Sequence, residues 1–268
     1  MPNNEQATTF DLTGKVAIIT GGSQGIGEAI VRELAGSGCD ILATARSEAA
    51  LASISSELET STGRRVVGHT ADLRDENAGA SIVKAAAEAF GKIDLVVNNA
   101  GSTKNGTLFD VTEEEWADGF GVKFFGGMRL SKAAWPHLKD SNGGIVNIGG
   151  IRAETPTGVS VIPSSVNSAI AALTKALADQ GRADGVKVNG IHPGPVRTGR
   201  LKATQESMAA DKGVDQAEVE RQMIANFGVT RIGEPEDIAR LVAFLASPLA
   251  ANIHGTFIDS DGGATRGT

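Results

Sequence analysis

The chain has 268 residues and a formal net charge of −7, which argues against non-specific nucleic-acid binding, because that needs a basic surface. Its length suits one large α/β domain and falls short of two. Hydrophobic residues at 41% and charged residues at 21% make an ordinary globular balance that excludes wholesale disorder. Residues 1–11 read as a polar tail without the apolar core of a leader peptide. No apolar run approaches the roughly 20 residues of a membrane span, so a soluble cytoplasmic protein is expected. From there the chain alternates short β-branched runs with longer helical stretches. Strands are predicted at Lys15 to Thr20, Asp40 to Ala45, Arg65 to Thr70, Leu95 to Asn98, Gly144 to Ile148, Val186 to His192 and Thr256 to Asp259. Helices are predicted at Gly25 to Ser37, Ser47 to Thr60 with Ser47 as N-cap, Asp75 to Phe90, Ser165 to Gly181 and Pro235 to Leu245. A long helical region from Thr112 to Leu138 is expected to break at Gly126-Gly127. The stretch from Pro195 to Phe227 is the least regular, and predicts a mobile loop with one short helix. Cys39 is the only cysteine, which excludes an internal disulfide and a thiolate metal cluster; its apolar surroundings predict a buried thiol.

Strands separated by helices of this length require right-handed crossovers and therefore a parallel sheet. The first strand runs directly into Thr20 to Gly27, read T-G-G-S-Q-G-I-G. Glycines in a strand–turn–helix junction permit a tight turn and let backbone approach a pyrophosphate, which then sits on the helix N-terminus. The expectation is a single-domain Rossmann fold over residues 12–264: a doubly wound parallel sheet of seven strands flanked by helices.

The T-G-x-x-x-G-I-G spacing resembles the short-chain dehydrogenase/reductase family. So do Asn98-Asn99-Ala100-Gly101 after the fourth strand and Pro193-Gly194-Pro195-Val196-Arg197-Thr198 after the sixth. Gly233 to Ala239 and Asp261-Gly262-Gly263 match the family's C-terminal signatures. The resemblance implies that Gly21, Gly25, Ile26 and Gly27, with Ser23 and Gln24 in the same turn, cradle a dinucleotide pyrophosphate. It implies that Asp72 and Leu73 contact the adenine, with a helix cap as the other reading of Asp72. Asn98, Ala100 and Gly101 would flank the adenosine ribose. Pro193, Gly194, Val196 and Thr198 would meet the nicotinamide carboxamide. At the end of the second strand, where an acid would select NAD, stand Ala45 and Arg46; Arg46 could fork onto a 2′-phosphate, so NADP(H) is favoured over NAD(H). A solvated arginine stacked on adenine is the alternative. The family resemblance also implies a homotetramer built through the long helices, and a small-molecule substrate.

Family members usually transfer hydride with Asn, Ser, Tyr and Lys acting together. Threaded onto this chain, those positions hold Lys123, Gly150, Pro163 and Asn167, and the sequence contains no tyrosine anywhere. Lys175 is no substitute, because it lies two turns beyond Asn167, roughly 12 Å along the helix. Ligands of such sheets bind outside the carboxyl ends of the strands. That location makes Ser102, Lys104, Lys123, Arg152, Glu154, Ser160, Ser164, Asn167 and His192 the polar candidates. Lys123 and His192 are the substitute proton donors; Lys123 could instead pair with Glu154 or Asp110, and His192 could be structural. Arg152 and Glu154 are the candidate substrate contacts, against a reading as solvated loop charges, and residues 195–227 a candidate substrate lid. Three functions stay open: an oxidoreductase with a non-standard catalytic site, a non-redox enzyme on this fold, and a non-catalytic dinucleotide-binding or partner subunit.

Overall fold

The computed structural model describes residues 10–101 and 103–266. Seven parallel strands form one sheet in the order β3-β2-β1-β4-β5-β6-β7. They are β1 (Val16–Thr20), β2 (Asp40–Ala45), β3 (Val66–Thr70), β4 (Leu95–Asn98), β5 (Gly144–Ile148), β6 (Lys187–Pro193) and β7 (Phe257–Ser260). The helices are α1 (Gly25–Gly36), α2 (Glu48–Thr62), α3 (Ala78–Phe90), α4 (Glu113–Gly119), α5 (Gly127–Ser141), α6 (Val161–Asp184), α7 (Gly199–Lys212), α8 (Gln216–Phe227) and α9 (Pro235–Ala246). The single-domain Rossmann architecture expected from the sequence is the one observed.

The two-residue period of a strand sorts the sheet's faces. Ala17 and Ile19 of β1 join the core beneath α1, α2 and α9, while Ile18 joins the core beneath α3, α5 and α6. The strand order reverses between β1 and β4, and the crevice at such a reversal opens at the carboxyl ends of the strands. Thr20, Asn98, Ile148 and Pro193 end their strands there.

Two expectations are corrected. The glycine pair does not break the long helix: α4 and α5 are joined by a π-helical segment, Phe120–Gly126. Gly126 instead allows close packing, since a Cβ there would stand 2.7 Å from that of Leu73. The stretch expected as a loop carries α7 and α8. Thr198 caps α7 by accepting from Leu201 N–H, Asp215 caps α8 by accepting from Glu218 N–H, and Gly213 and Gly228 end them with positive φ. Both helices are largely exposed and polar, so the apolar periodicity that reveals a helix is weak in them. Among the described residues, α6 spans 24 residues and is apolar enough by length and composition to pass for a membrane span, as the core helix of a soluble protein also can. The apolarity has a local cause: Ile162, Val166, Ile170 and Ala178 are buried against the rest of the domain.

Candidate active site

At the β1–α1 junction the sequence leaves little choice of residue. Gly21 and Gly25 adopt φ of +67° and +56°, which suits glycine alone among the residues used here. Gly27 serves a different need: a Cβ on it would sit 2.0 Å from Gly21 O and 2.5 Å from Asn99 Nδ2. The helix therefore starts hard against the turn, and its first N–H groups lack intrahelical acceptors, as at any helix start. Ser23 and Gln24 complete the turn, and Ile26 packs on the adjoining core. These features fit a pyrophosphate: positive-φ glycines at 21 and 25 and a side-chain-free Gly27 bring the turn backbone and the first N–H groups of α1 together. Thr198, which caps α7, stands 3.3 Å from where a Gly25 Cβ would lie.

Two motif residues that the resemblance gave no separate role, Thr20 and Asn99, hold this turn in place. Thr20 Oγ1 accepts from the backbone N–H groups of Asn99 and Ala100, both at 2.9 Å. Asn99 Nδ2 donates to Thr20 O at 2.9 Å. Asn98 belongs to a buried ladder beneath the cleft: its Nδ2 donates to Asn147 Oδ1 at 2.8 Å and to Ser131 Oγ at 3.0 Å, and Asn147 Nδ2 donates to Thr174 Oγ1 at 2.8 Å. Gly194 lies against Asp261, 2.7 Å from its Cα if it bore a Cβ, and Val196 bridges to Gly233. Pro193 ends β6 beside Ser260.

Toward the other end, Arg46 is exposed at the tip of β2. Asp72 is not a helix cap, because α3 begins at Ala78 with Asn77 as its N-cap. Its carboxylate accepts instead from the Arg74 backbone at 3.0 Å and guanidinium at 2.9 Å, which with Arg46 nearby hold its pKa below the usual range. Leu73 turns its side chain into the core.

The four positions assigned to catalysis by the resemblance are brought together unequally. Lys123 lies in the π-helical segment, a distortion common at functional sites. Its Nζ donates to Asn167 Oδ1 at 2.6 Å and to Gly149 O at 2.8 Å. The pairing with Glu154 or Asp110 is therefore not made; Asp110 accepts from Thr107 instead. Burial, helped by the positive Arg200 nearby, pushes the Lys123 ammonium down to about 7. Gly101 gives its side chain passage, since a Cβ there would meet the Lys123 stem at 2.7 Å. Gly150 does the same for Asn167, whose Nδ2 would lie 2.9 Å from an added Cβ. Pro163 is buried in the first turn of α6, where its missing N–H costs no helical bond.

His192 is wholly buried at the end of β6 and stacked on Phe257 at 4.0 Å. Its Nδ1 accepts from Gly150 N–H at 3.0 Å. Burial and the Lys123 charge push its pKa down to about 4, so the ring is neutral where an unperturbed histidine would be titrating. Glu154 is exposed, with Oε1 3.8 Å from His192 Nε2. Arg152 lies 5.9 Å over the Phe227 ring at the end of α8 and donates to Thr155 O at 3.2 Å. Arg200 of α7, which the sequence did not single out, reaches Gly101 O at 3.0 Å. Lys104 pairs with Glu115, Ser160 donates to Asn105 at 3.0 Å, and the buried Ser164 hydroxyl has no partner among the described residues. Ser102 lies outside the described residues. Lys175 reaches Gly255 O at 2.9 Å, away from this cluster. A separate cavity lined by Leu12, Lys15, Cys39, Asp94 and Lys187 opens at the amino ends of the strands and shares no residue with the cleft. Cys39 is buried as expected, with its thiol pushed up to about 12.

Comparison with known proteins agrees with this architecture. A family model described as enoyl-(acyl carrier protein) reductase matches residues 21–265. The chain is 33% identical over 255 residues to the 3-oxoacyl-(acyl-carrier-protein) reductase of Vibrio cholerae, covering 95% of this chain and 98% of that one. The L-sorbose reductase of Gluconobacter frateurii, solved with NADPH and L-sorbose, superposes with a TM-score of 0.93 at 28% identity, over 97% of this chain and all of that one. An NADPH-bound short-chain oxidoreductase of Pseudomonas aeruginosa, described as containing an atypical catalytic center, superposes with a TM-score of 0.90 at 31% identity, again over 97% of this chain and all of that one. The protein belongs to the short-chain dehydrogenase/reductase family of NAD(P)-dependent oxidoreductases.

Proposed function

We propose that the protein is an NADPH-preferring reductase of small carbonyl or related electrophiles, in which Lys123 replaces the usual tyrosine as proton donor. The observation that carries this reading is the Lys123 ammonium, held by Asn167 and Gly149 and poised near 7 by burial. The positions threaded onto the family's Asn-Ser-Tyr-Lys set are Lys123, Gly150, Pro163 and Asn167; of these, Lys123 alone has a side chain that titrates. The likeness to an oxidoreductase described as having an atypical catalytic center makes a departure of this kind a natural one for the fold.

A reduced nicotinamide in the cleft would supply the hydride. Gly21 to Gly27 would hold the pyrophosphate, and Pro193 to Thr198 would orient the carboxamide. Arg46 would take the 2′-phosphate, the basis for NADPH over NADH. The Lys123 ammonium would give its proton to the substrate oxygen as that oxygen gains negative charge. The resulting amine would recover its proton from solvent. Arg152 and Glu154, on the loop beside α8, would contact the substrate, and residues 195–227 would cover it. The same resemblance supports a cytoplasmic homotetramer, which sedimentation of the pure protein checks.

The test has two parts. NADPH at about 100 times its dissociation constant should raise stability by about 2.7 kcal/mol in a thermal-shift assay, and NADH should need a higher concentration. NADPH consumption should then be followed over a panel of ketones, imines and enones. Lys123→Met should lower kcat by about 10²–10⁴-fold with cofactor binding retained. No shift with either cofactor refutes the binding site. Cofactor binding without turnover on any substrate favours a dinucleotide-binding subunit, the reading that the missing tyrosine keeps in play.

A further inference from the structure

One peptide group sits between Lys123 and His192. The carbonyl of Gly149 accepts from Lys123 Nζ at 2.8 Å. The N–H of Gly150, at the other side of the same peptide, donates to His192 Nδ1 at 3.0 Å. A peptide is planar and rigid, with its carbonyl and N–H pointing opposite ways. Turning the N–H away from His192 therefore turns the carbonyl away from Lys123. Neither glycine is incidental: a Cβ on Gly149 would stand 2.5 Å from His192 Nδ1, and one on Gly150 would stand 2.9 Å from Asn167 Nδ2.

We propose that His192 is the positioning residue of this site: as the neutral tautomer protonated at Nε2, it holds the 149–150 peptide so that Gly149 O fixes the Lys123 ammonium beside Asn167. The inference rests on the proposed role of Lys123 for its catalytic meaning, while the contact itself can be tested without turnover. The tautomer follows from the hydrogen bond. Nδ1 faces a donor, so it must offer a lone pair, and the neutral ring then carries its proton on Nε2. A doubly protonated ring would set N–H against N–H and release the peptide. The surroundings oppose that state. The ring is wholly buried, pinned flat on Phe257, and feels the positive Lys123 from the π-helical segment. Asp261 after β7 acts in the opposite sense. Glu154 Oε1 lies 3.8 Å from Nε2, and Asp259 stands opposite His192 in the β6–β7 register. A histidine that merely filled space against Phe257 would have no need of a particular tautomer.

Two measurements decide the matter. In the wild-type protein, 15N NMR of the histidine rings between pH 6 and 8 should show His192 with an unprotonated Nδ1 and a protonated Nε2. A ring protonated at Nδ1 overturns the proposal, and this needs no variant to fold. The second measurement is the Lys123 titration in protein carrying labelled lysine, alongside kcat against pH with saturating NADPH. His192→Phe keeps the stack on Phe257 and removes the acceptor; His192→Asn returns an acceptor oxygen near the place of Nδ1. In His192→Phe the Lys123 titration should move down by about one pH unit, because the ammonium loses its carbonyl. The same variant should lose about tenfold in kcat with KM for NADPH unchanged. His192→Asn should recover most of both. A folded His192→Phe in which Lys123 titrates as in the wild type overturns the proposal. A moved Lys123 titration with unchanged kcat supports the contact and refutes Lys123 as the proton donor instead.

Discussion

The cleft has two ends built on different principles. At the β1–α1 junction the controlling residues are glycines, and the requirement is local: φ above zero at Gly21 and Gly25, and room for one backbone at Gly27. Around Lys123 the controlling facts are contacts across the fold. Lys123 meets Asn167 from 44 residues away and Gly149 from 26 residues away, and its charge state is set by what excludes water from it. The first end can change little without losing its shape. The second is a hydrogen-bonded cluster closed by Lys123, Asn167 and the carbonyl of Gly149. On the proposed function, dinucleotide binding would rest on the first end and proton delivery on the second, so the two would be separable by mutation.

The sharpest way to break this separation is at Gly27. Gly27→Val places carbon where Gly21 O already stands, so NADPH affinity should fall by at least about 100-fold in a fluorescence titration, with Lys123 untouched. Retained affinity would show that the helix start can move and that the cradle is less constrained than its geometry requires. Next in size is the reverse operation at the other end. Gly150→Ser with Pro163→Tyr and Asn167→Lys should give measurable ketone reduction, on the order of 10²-fold above the parent on the same ketone. Asn167 must change together with Gly150, because a serine Cβ would otherwise meet its amide at 2.9 Å. A folded, NADPH-binding triple variant without activity would count against the threading of these positions. Arg46→Ser tests the far end of the cradle, where the ratio of NADPH to NADH affinity should drop by about tenfold. An unchanged ratio would make Arg46 a solvated side chain.

The smallest effect is a pH dependence of stability. His192 has a folded pKa of about 4 against an ordinary 6.5, so the unfolded chain binds its proton first as pH falls. Its contribution is complete above 6.5 and is lost as pH falls toward 4. Lys123, at about 7 against 10.5, acts in the same direction at higher pH, with stability rising from pH 7 toward 10.5 as the buried charge is relieved. Urea midpoints should therefore climb with pH through both windows. His192→Phe should flatten the lower one, and Lys123→Met should flatten the upper one while raising the midpoint at pH 6. A slope below pH 6.5 that survives His192→Phe would assign it to carboxylates instead.

Some features of the fold leave little trace along the chain. The helices α7 and α8 lack the apolar stripe that marks a helix packed on a core, yet Thr198, Asp215, Gly213 and Gly228 stood at their ends as ordinary capping residues. Reading caps before periodicity would have found them. Glycine weakens a helix, so Gly126 and Gly127 read as a break in sequence, whereas in the fold they admit Leu73 and Asn98 to the helix surface. Histidine's ordinary pKa suits acid–base work, but the burial of His192 against Phe257, which lowers it, comes from contacts distant in sequence.

The sequence by itself determined the sheet, the order of its motifs, the glycine turn and the absence of any tyrosine to act as proton donor. These depend on backbone geometry and on alternation over a few residues, which are short-range and legible. Only the tertiary structure decided that Lys123, Asn167, the 149–150 peptide and His192 form one hydrogen-bonded cluster, and that Lys123 is poised near neutrality. A side chain's proton affinity depends on the groups that surround it and the water they displace, and those groups come from the π-helical segment, β6, α6 and the loop after β5, far apart in the chain.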